Sequence, residues 1–310
     1  MKNSILTLVQ KGIWGLSILA LAATAAEPKK LLVVTVTTGF RHSSIATAEK
    51  VLGELAKESG AFTVDYVRQP EETVKRPPNP KADADEETKA KFKADMAKYE
   101  AAQKDFQTRV KESLSKLSAE NLKKYDGVIF ANSTGDLPLP DPQAFVDWVR
   151  AGHALIGMHS ASDTFHGFRP YVEMLGGEFA SHGNQATVEC INEDKKHPAC
   201  SHLPQNWTVH DEIYIIKSFD REKVHGLLTL DREPNKKTPG DFPIAWSKEF
   251  GKGRVFYTSL GHREDVWDDD TPPGFKRLNS PEVALAYQKH ILGGIKWALG
   301  LEEGAAKKKR

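Results

Sequence analysis

Three of the 11 histidines in this sequence follow apolar segments, at points where a buried strand would end. His159 follows the run ALIGM, His182 follows GGEFAS, and His262 follows RVFYTSLG. An imidazole titrates near neutral pH and is also a common metal ligand, so histidines at strand ends suit either proton transfer or metal binding. These histidines could serve acid–base catalysis, metal-assisted catalysis or neither.

Two carboxylates stand beside another predicted strand, because Asp211 and Glu212 directly precede an apolar segment. We expect His159 and His262 to act as acid and base, with one of these carboxylates orienting one of them. In the alternative, a divalent metal ion polarises a carbonyl or activates water. Its ligands would be His159, His182, His262 and Glu212. Because the chain has no HExxH motif and no tightly spaced ligand pair, the sequence favours the metal-free scheme and establishes no cofactor.

Further side chains near the predicted strand ends are expected to contact a substrate: Arg41, His42, Ser160, Asp163, His182 and Trp267. The candidate histidines, the carboxylates Asp211, Glu212 and Asp163, and Trp267 also have a purely structural alternative. A histidine or Asp163 can cap a helix, a carboxylate can pair with a nearby arginine, and most aromatic residues in such chains lie in the core.

The elements that would position these residues alternate between strands and helices. Strands are predicted at 31–37, 62–67, 126–132 and 154–159, and helices at 44–58 and 141–150. This alternation predicts right-handed crossovers and a mainly parallel sheet. The carboxyl ends of parallel strands share one edge, where doubly wound folds bind their ligands.

The second half of the chain has strands in closer succession, predicted at 186–192, 213–217, 226–230, 243–248 and 254–259. Such spacing predicts extra, partly antiparallel strands at one side of the sheet. A closing helix is predicted at 281–299.

The stretch 71–118 interrupts this pattern as a charged insertion. It begins near the proline segment RPPNP and continues, at 83–117, with a segment rich in Lys, Glu and Ala whose apolar residues lie three, four or seven apart. That spacing predicts a long helix or helical hairpin with one apolar stripe. The stripe either packs on its own domain or serves as an arm for oligomerisation.

Both ends of the chain are expected to lie outside the fold. A charged start, an apolar run and the small residues ATAA before Glu27 are typical of a signal peptide over residues 1–26, which implies export to the periplasm or the extracellular space. No later segment is predicted to cross a membrane. Residues 304–310 end in KKKR and are predicted to form a disordered basic tail, which leaves one α/β domain over 27–303.

Charge and cysteine content exclude two classes of function. Without Lys2 and Lys11, 41 of the 43 Lys and Arg residues remain against 42 acidic residues, so the chain lacks the excess of positive charge that nucleic-acid binding needs. Cys190 and Cys200 are compatible with a disulfide in an oxidising compartment. Neither lies in a strand-to-helix turn, where a catalytic thiolate would be expected.

Six stretches together resemble the trehalose-utilisation (ThuA-like) family: TTGFRHSS, YDGVIFANSTG, GMHSASDTF, YVEMLGGEFASHG, VHDEIYIIK and GKGRVFYTSLGHREDVW. The resemblance covers about residues 31 to 300 except the insertion. It implies a flavodoxin-like, three-layer α/β sandwich related to class I glutamine amidotransferases, without their catalytic cysteine. It also implies a role in carbohydrate breakdown, on oxidised (keto) sugars or their glycosides.

The sequence is therefore expected to encode an exported protein that processes a small-molecule carbohydrate by histidine and carboxylate chemistry. Two rival functions remain: a carbohydrate-binding module without turnover, and an interaction protein that uses the arm at 83–117. Glutaminase activity is excluded, because the strand-end sequence GMHSA offers no cysteine nucleophile.

Overall fold

The computed structural model describes residues 27–306. The predicted signal peptide, 1–26, and the last four residues of the predicted tail, 307–310, lie outside the described residues. Within residues 27–306, no helix has both the length and the apolar character needed to cross a bilayer.

Five parallel strands form the first half of the main sheet, in the order β2-β1-β3-β4-β11. They are β1 (Lys29–Val34), β2 (Phe62–Val67), β3 (Gly127–Ala131), β4 (Ala154–Met158) and β11 (Gly253–Thr258). In β1, Leu31 and Val33 pack into one core, whereas Leu32 and Val34 pack into a second core on the opposite face. The alternation of side chains along a strand thus buries both faces of this sheet, as its apolar sequence predicts.

Helices cover both faces and make the fold a three-layer sandwich. On one face lie α1 (Ile45–Ser59) and α7 (Pro281–Ala298), and on the other lie α4 (Pro142–Arg150) and α5 (Arg169–Leu175). Helix α4 begins where the sequence predicts, because the Asp141 side chain accepts a hydrogen bond from the Ala144 amide and Pro142 occupies the first turn. Short helices occur at α3 (Ala119–Leu122) and α6 (Glu264–Trp267).

The second half extends the sheet with antiparallel strands, which confirms the α/β fold class predicted from the sequence. Beyond β11 follow β10 (Pro239–Phe250), β9 (His225–Arg232), β6 (Ala186–Asn192) and β7 (Asn206–Asp211). A separate ribbon pairs β5 (Glu178–His182) with β8 (Tyr214–Lys217). Two strands, β5 and β7, were not predicted: β5 is largely exposed and polar, whereas β7 has the alternation of buried and exposed residues that is typical of a half-buried strand.

The charged insertion forms one long helix, α2 (Glu86–Leu114), rather than a hairpin. The Asp85 side chain caps it by accepting from the Thr88 amide over 2.7 Å. Its C-terminal end packs on the domain through the buried residues Val110 and Leu114, whereas Phe92 near its start is half-buried. Oligomerisation through the rest of the stripe stays a prediction.

The two cysteines are free thiols, and both are buried. Burial raises the pKa of Cys190 to about 12, so that the thiol stays protonated at neutral pH. The possible disulfide does not form in this structure.

Candidate metal centre

The central strands end level with one another, and this edge gathers the chemically active side chains. Met158, the last residue of β4, pairs with Ala131 of β3 on one side and with Thr258 of β11 on the other. His159 comes immediately after β4, and His262 comes four residues after Thr258. The shared strand edge predicted from the sequence therefore exists.

Four side chains from different segments converge at this edge: His42, His159, Glu212 and His262. His42 comes from the connection between β1 and α1, and Glu212 from the connection between β7 and β8. One donor atom from each residue lies within 4.8 Å of all the others. We call these four residues the histidine cluster.

The distances within the histidine cluster are short. His159 Nε2 lies 3.2 Å from His42 Nε2 and 3.3 Å from His262 Nδ1. Glu212 Oε1 lies 3.2 Å from His262 Nδ1 and 3.8 Å from His159 Nε2. Three ring nitrogens and one carboxylate oxygen therefore surround a common point.

His159 occupies a sharp turn and is held in one tautomer. Its φ of 47° lies in the left-handed region, which a non-glycine residue adopts only when its surroundings hold it there. Its Nδ1 lies 2.8 Å from the carbonyl oxygen of Ser259, which can only accept, so Nδ1 carries the hydrogen. Nε2 of the neutral ring therefore presents its lone pair to the cluster.

Burial keeps two of the histidines neutral. The His159 side chain is fully buried, and desolvation together with His42 and His262 lowers its pKa well below the ordinary value. Desolvation, followed by the charge of His262, lowers the pKa of His42 to about 4. His42 Nδ1 lies 3.3 Å from Ser160 Oγ, which leaves Nε2 directed at His159.

Glu212 supplies the negative charge of the histidine cluster. Although burial acts to lower the pKa of His262, the hydrogen bond and the charge of Glu212 raise it overall. The second carboxylate oxygen, Oε2, lies 3.1 Å from Nδ1 of His182, whose side chain is 43% exposed. His182 thus joins the histidine cluster to solvent through Glu212.

Backbone hydrogen bonds position the turn that carries His262. The buried Asp211 accepts from the amides of Gly261 at 2.7 Å, His262 at 3.4 Å and Arg263 at 3.1 Å. Desolvation raises the pKa of Asp211 to about 6 against the effect of these bonds, which leaves it ionised at neutral pH. Asp211 therefore acts on the site through the backbone rather than as a member of the histidine cluster.

Asn132 ties the same turn to the loop that carries His42. Its Nδ2 donates to Ser44 Oγ and to the Gly261 carbonyl oxygen, both at 2.8 Å. Ser44 lies two residues after His42, so one amide group fixes the spacing between the two loops.

The histidine cluster fits a divalent metal ion. In a tetrahedral zinc site with ligands at about 2.0–2.1 Å, neighbouring ligand atoms lie about 3.3 Å apart, close to the 3.2 and 3.3 Å between His159 Nε2 and the other two ring nitrogens and shorter than its 3.8 Å to Glu212 Oε1. His159 Nε2, an acceptor in the tautomer that Ser259 fixes, lies 3.2 Å from His42 Nε2 and 3.3 Å from His262 Nδ1, so two further ring nitrogens converge on its lone pair. Burial favours the neutral form of His42 and His159, which is the form of an imidazole that binds a metal ion. The set of three nitrogens and one oxygen is compatible with Zn²⁺ and similar transition metals.

The residues predicted from the sequence divide into two groups. His159, Glu212 and His262 are in the histidine cluster, and Ser160 and His182 contact members of it. The other predicted residues have different partners in the structure: Arg41 donates to the carbonyl oxygen of Thr35, Asp163 pairs with His166 at 2.6 Å, and Trp267 is fully buried and donates to Gly261. A buried Trp267 presents no face on which a sugar could stack.

Sequence reasoning missed two features of this site. His42 was expected to contact substrate, but it lies among the potential metal ligands. Phe40, 68% exposed, places its ring 4.9 Å from that of His42 and is an aromatic residue available to a ligand. The signal was present, since both residues stand in the first strand-end turn, TTGFRH.

Two solved structures have the same fold over most of their length. A ThuA-like protein from Parabacteroides merdae is 19% identical, with a TM-score of 0.58 over 88% of this chain and 90% of its own. A ThuA-like protein from Bacteroides uniformis is 18% identical, with a TM-score of 0.56 over 90% of this chain and 94% of its own. At these identities the likeness shows the fold alone. No curated protein gives a significant sequence match.

The sequence itself matches one family model, which carries the description "Trehalose utilisation" and covers residues 81–298. The match spans more than half of the chain and includes three of the four residues of the histidine cluster, His159, Glu212 and His262. The chain therefore belongs to the ThuA family of trehalose-utilisation proteins.

Proposed function

We propose that this chain is a metal-dependent enzyme of carbohydrate utilisation that acts on oxidised (keto) sugars or their glycosides. Membership of the ThuA family supports a carbohydrate as the substrate. The observation that carries the enzymatic proposal is the convergence of three imidazole nitrogens and one carboxylate oxygen within 4.8 Å of one another. A keto sugar fits such a site, because its carbonyl oxygen can be polarised and the neighbouring C–H bond is acidic.

A bound divalent cation would polarise the sugar carbonyl or increase the acidity of a water molecule. The residues of the chain perform the remaining tasks. His42 and His159, both neutral, would hold the cation together with His262. Glu212 accepts a proton from the substrate or from water, and the exposed His182 donates a hydrogen bond from Nδ1 to Glu212 Oε2 at 3.1 Å, which orients the carboxylate. Phe40 offers an apolar face to the sugar ring at the mouth of the site.

One observation favours a second candidate, acid–base catalysis without metal. Glu212 raises the pKa of His262, so that an imidazolium could donate a proton to a leaving group. In this scheme, one of the other two rings would act as the base. The two candidates differ in their response to chelation.

The test is to measure metal content and turnover together on the purified chain. Zinc, manganese, iron and nickel are quantified after purification, and hydrolysis or elimination of a panel of 3-keto-glycosides is measured before and after EDTA treatment and metal addition. His159→Ala and His262→Ala are compared with His202→Ala, a control at an exposed histidine whose Nε2 contacts only the Ala286 carbonyl oxygen.

The metal-dependent proposal expects turnover that EDTA abolishes and metal restores, with loss of metal in both cluster variants and not in the control. Turnover insensitive to EDTA would support the acid–base candidate instead. Saturable sugar binding without turnover of any substrate would favour the binding module.

We also propose that the protein is exported, a proposal that the signal-peptide pattern of residues 1–26 supports. Expression of the full chain with N-terminal sequencing of the periplasmic fraction tests it. A protein that starts at Glu27 is the expected result, and an uncleaved cytoplasmic protein would contradict the proposal.

A further inference from the structure

A cavity of about 840 Å³ lies beside the histidine cluster but does not include it. Its floor is formed by Thr37, Thr38, Gly39 and Arg41, which follow β1, by residues that follow β2, and by Asp136 and Pro138, which follow β3. Helix α2 closes the opposite side. The volume lies within the range of about 300–1,000 Å³ typical of cavities that bind small molecules.

The cavity lies at a position where open α/β sheets usually bind their ligands. In the strand order β2-β1-β3-β4, the chain passes from β1 to β2 on one side and from β3 to β4 on the other side. The connections after β1 and β3 therefore leave the sheet in opposite directions. Crevices at such points, outside the carboxyl ends of the strands, are the usual ligand sites of open α/β sheets. Arg41 lines the cavity, and the next residue, His42, belongs to the histidine cluster. A single short loop therefore separates the two sites.

The lining of the cavity combines amide groups with one aromatic ring. Gln69 lies on the floor, and Gln107 and Phe106 lie on the face that α2 turns toward it. An amide group both donates and accepts hydrogen bonds, as a sugar hydroxyl does, and an aromatic ring matches the apolar face of a pyranose. This composition suits a molecule that carries many hydroxyl groups.

The charges in the lining nearly balance. Arg41 and Lys111 supply two positive charges, against the carboxylates of Glu71, Glu72 and Asp136. A cavity for phosphate or a nucleotide would have an excess of positive charge, because several anionic oxygens must be neutralised. The balance favours an uncharged ligand.

Arg41 is held in place in this cavity. Its Nη1 donates to the Thr35 carbonyl oxygen at 3.1 Å and to Gln69 Oε1 at 3.2 Å. The same Gln69 oxygen accepts from the amide and the hydroxyl of Thr37, at 2.9 and 2.8 Å. The planar guanidinium group is thereby oriented in advance, and such preorganisation lowers the cost of binding.

We propose that the cavity between helix α2 and the loops after β1, β2 and β3 is a second carbohydrate site, which binds a neutral sugar through Arg41, its amide groups and Phe106. This inference rests on the proposed carbohydrate function and adds a binding site to it. The charged insertion then has a role as one wall of a sugar site.

Binding of glucose, trehalose and maltotriose to the full chain, treated with EDTA, tests this proposal by calorimetry and by saturation-transfer NMR. Glucose 6-phosphate is the anionic comparison. Arg41→Met removes the oriented guanidinium, and Lys111→Ala removes a charge from the opposite wall. Lys104→Ala is the matched control, because Lys104 is an exposed lysine of the same helix that does not line the cavity.

At least one uncharged sugar is expected to bind saturably, with a dissociation constant raised about tenfold by Arg41→Met and unchanged by Lys104→Ala. A response to glucose alone indicates a site for one sugar unit, and a response only to the longer sugars indicates a site for an extended chain. The proposal is overturned if no sugar binds, if Arg41→Met and Lys111→Ala leave binding unchanged, or if glucose 6-phosphate binds more tightly than glucose.

The two proposals fail separately. Metal content and turnover that depend on His159, without sugar binding that depends on Arg41, would overturn the second site and leave the proposed function standing. Sugar binding that depends on Arg41 in a protein without metal or turnover would overturn the proposed metal-dependent activity and leave the second site standing.

Discussion

The imidazole of His159 is fixed by the backbone of Ser259, whose carbonyl oxygen accepts a hydrogen bond from Nδ1 over 2.8 Å. His159 follows β4 and Ser259 follows β11, and these strands pair in parallel up to the preceding residues, Met158 and Thr258. The register of the sheet therefore decides which ring nitrogen faces the histidine cluster. A carbonyl partner for the second ring nitrogen is typical of histidines that bind metals.

Loss of His42 is expected to abolish tight metal binding, because this ring supplies one of the three nitrogens around the common point. We expect His42→Ala to weaken zinc binding by more than about 100-fold, the upper end of the effect of losing an outer-shell partner. Competition with a chromophoric chelator measures the affinity, and His202→Ala serves as the control. Equal zinc affinity in His42→Ala and the parent protein would remove His42 from the ligand set.

Replacement of Asp211 by asparagine is expected to disturb the turn at 261–263. An amide in place of one carboxylate oxygen directs N–H groups at the backbone amides that Asp211 now accepts from. We expect a loss of about 2 kcal/mol in the free energy of unfolding and a weaker metal site, since one buried hydrogen-bonding partner is lost. Urea unfolding and metal titration of Asp211→Asn measure the two effects. Asp231→Asn, at an exposed aspartate, should change neither.

Removal of His182 is expected to separate turnover from metal binding. His182 contacts Glu212 Oε2 and is outside the group of four that could hold the metal. We expect His182→Ala to keep its metal and to lower kcat about tenfold to hundredfold, the range typical of outer-shell residues. Metal analysis and steady-state kinetics on the same preparation test this. If the metal is lost together with activity, His182 is a ligand rather than a hydrogen-bonding partner that orients Glu212.

The position of the site in the fold was more predictable from the sequence than the set of residues that form it. Short apolar runs before His159 and His262 predict strand ends, and parallel strands bring their carboxyl ends together. The role of His42 depended on the side-chain direction within a loop, which no periodicity encodes. Trp267 was misjudged for a related reason, since only packing reveals that its indole donates inward to Gly261.

A buried histidine outside the histidine cluster makes the fold sensitive to acid. His290 in α7 is fully buried, its Nδ1 donates to the Ala199 carbonyl oxygen at 2.8 Å, and its Nε2 has no hydrogen-bond partner among the described residues. Desolvation lowers its pKa to about 4. In the unfolded chain, this histidine titrates near its ordinary pKa of about 6.5 and therefore takes up its proton at a higher pH than in the folded chain.

The free energy of unfolding that His290 contributes is complete above about pH 6.5 and falls as the pH drops toward 4, because protons then bind preferentially to the unfolded chain. At pH 5 this one group is expected to cost about 2 kcal/mol relative to pH 7.5. His290→Asn keeps a donor near Nδ1 and does not titrate, so its stability should fall less between these two pH values, whatever its stability at pH 7.5. Urea unfolding of both proteins at the two pH values measures the difference. Equal losses of stability in the two proteins would show that His290 takes up its proton as readily in the folded chain as in the unfolded one.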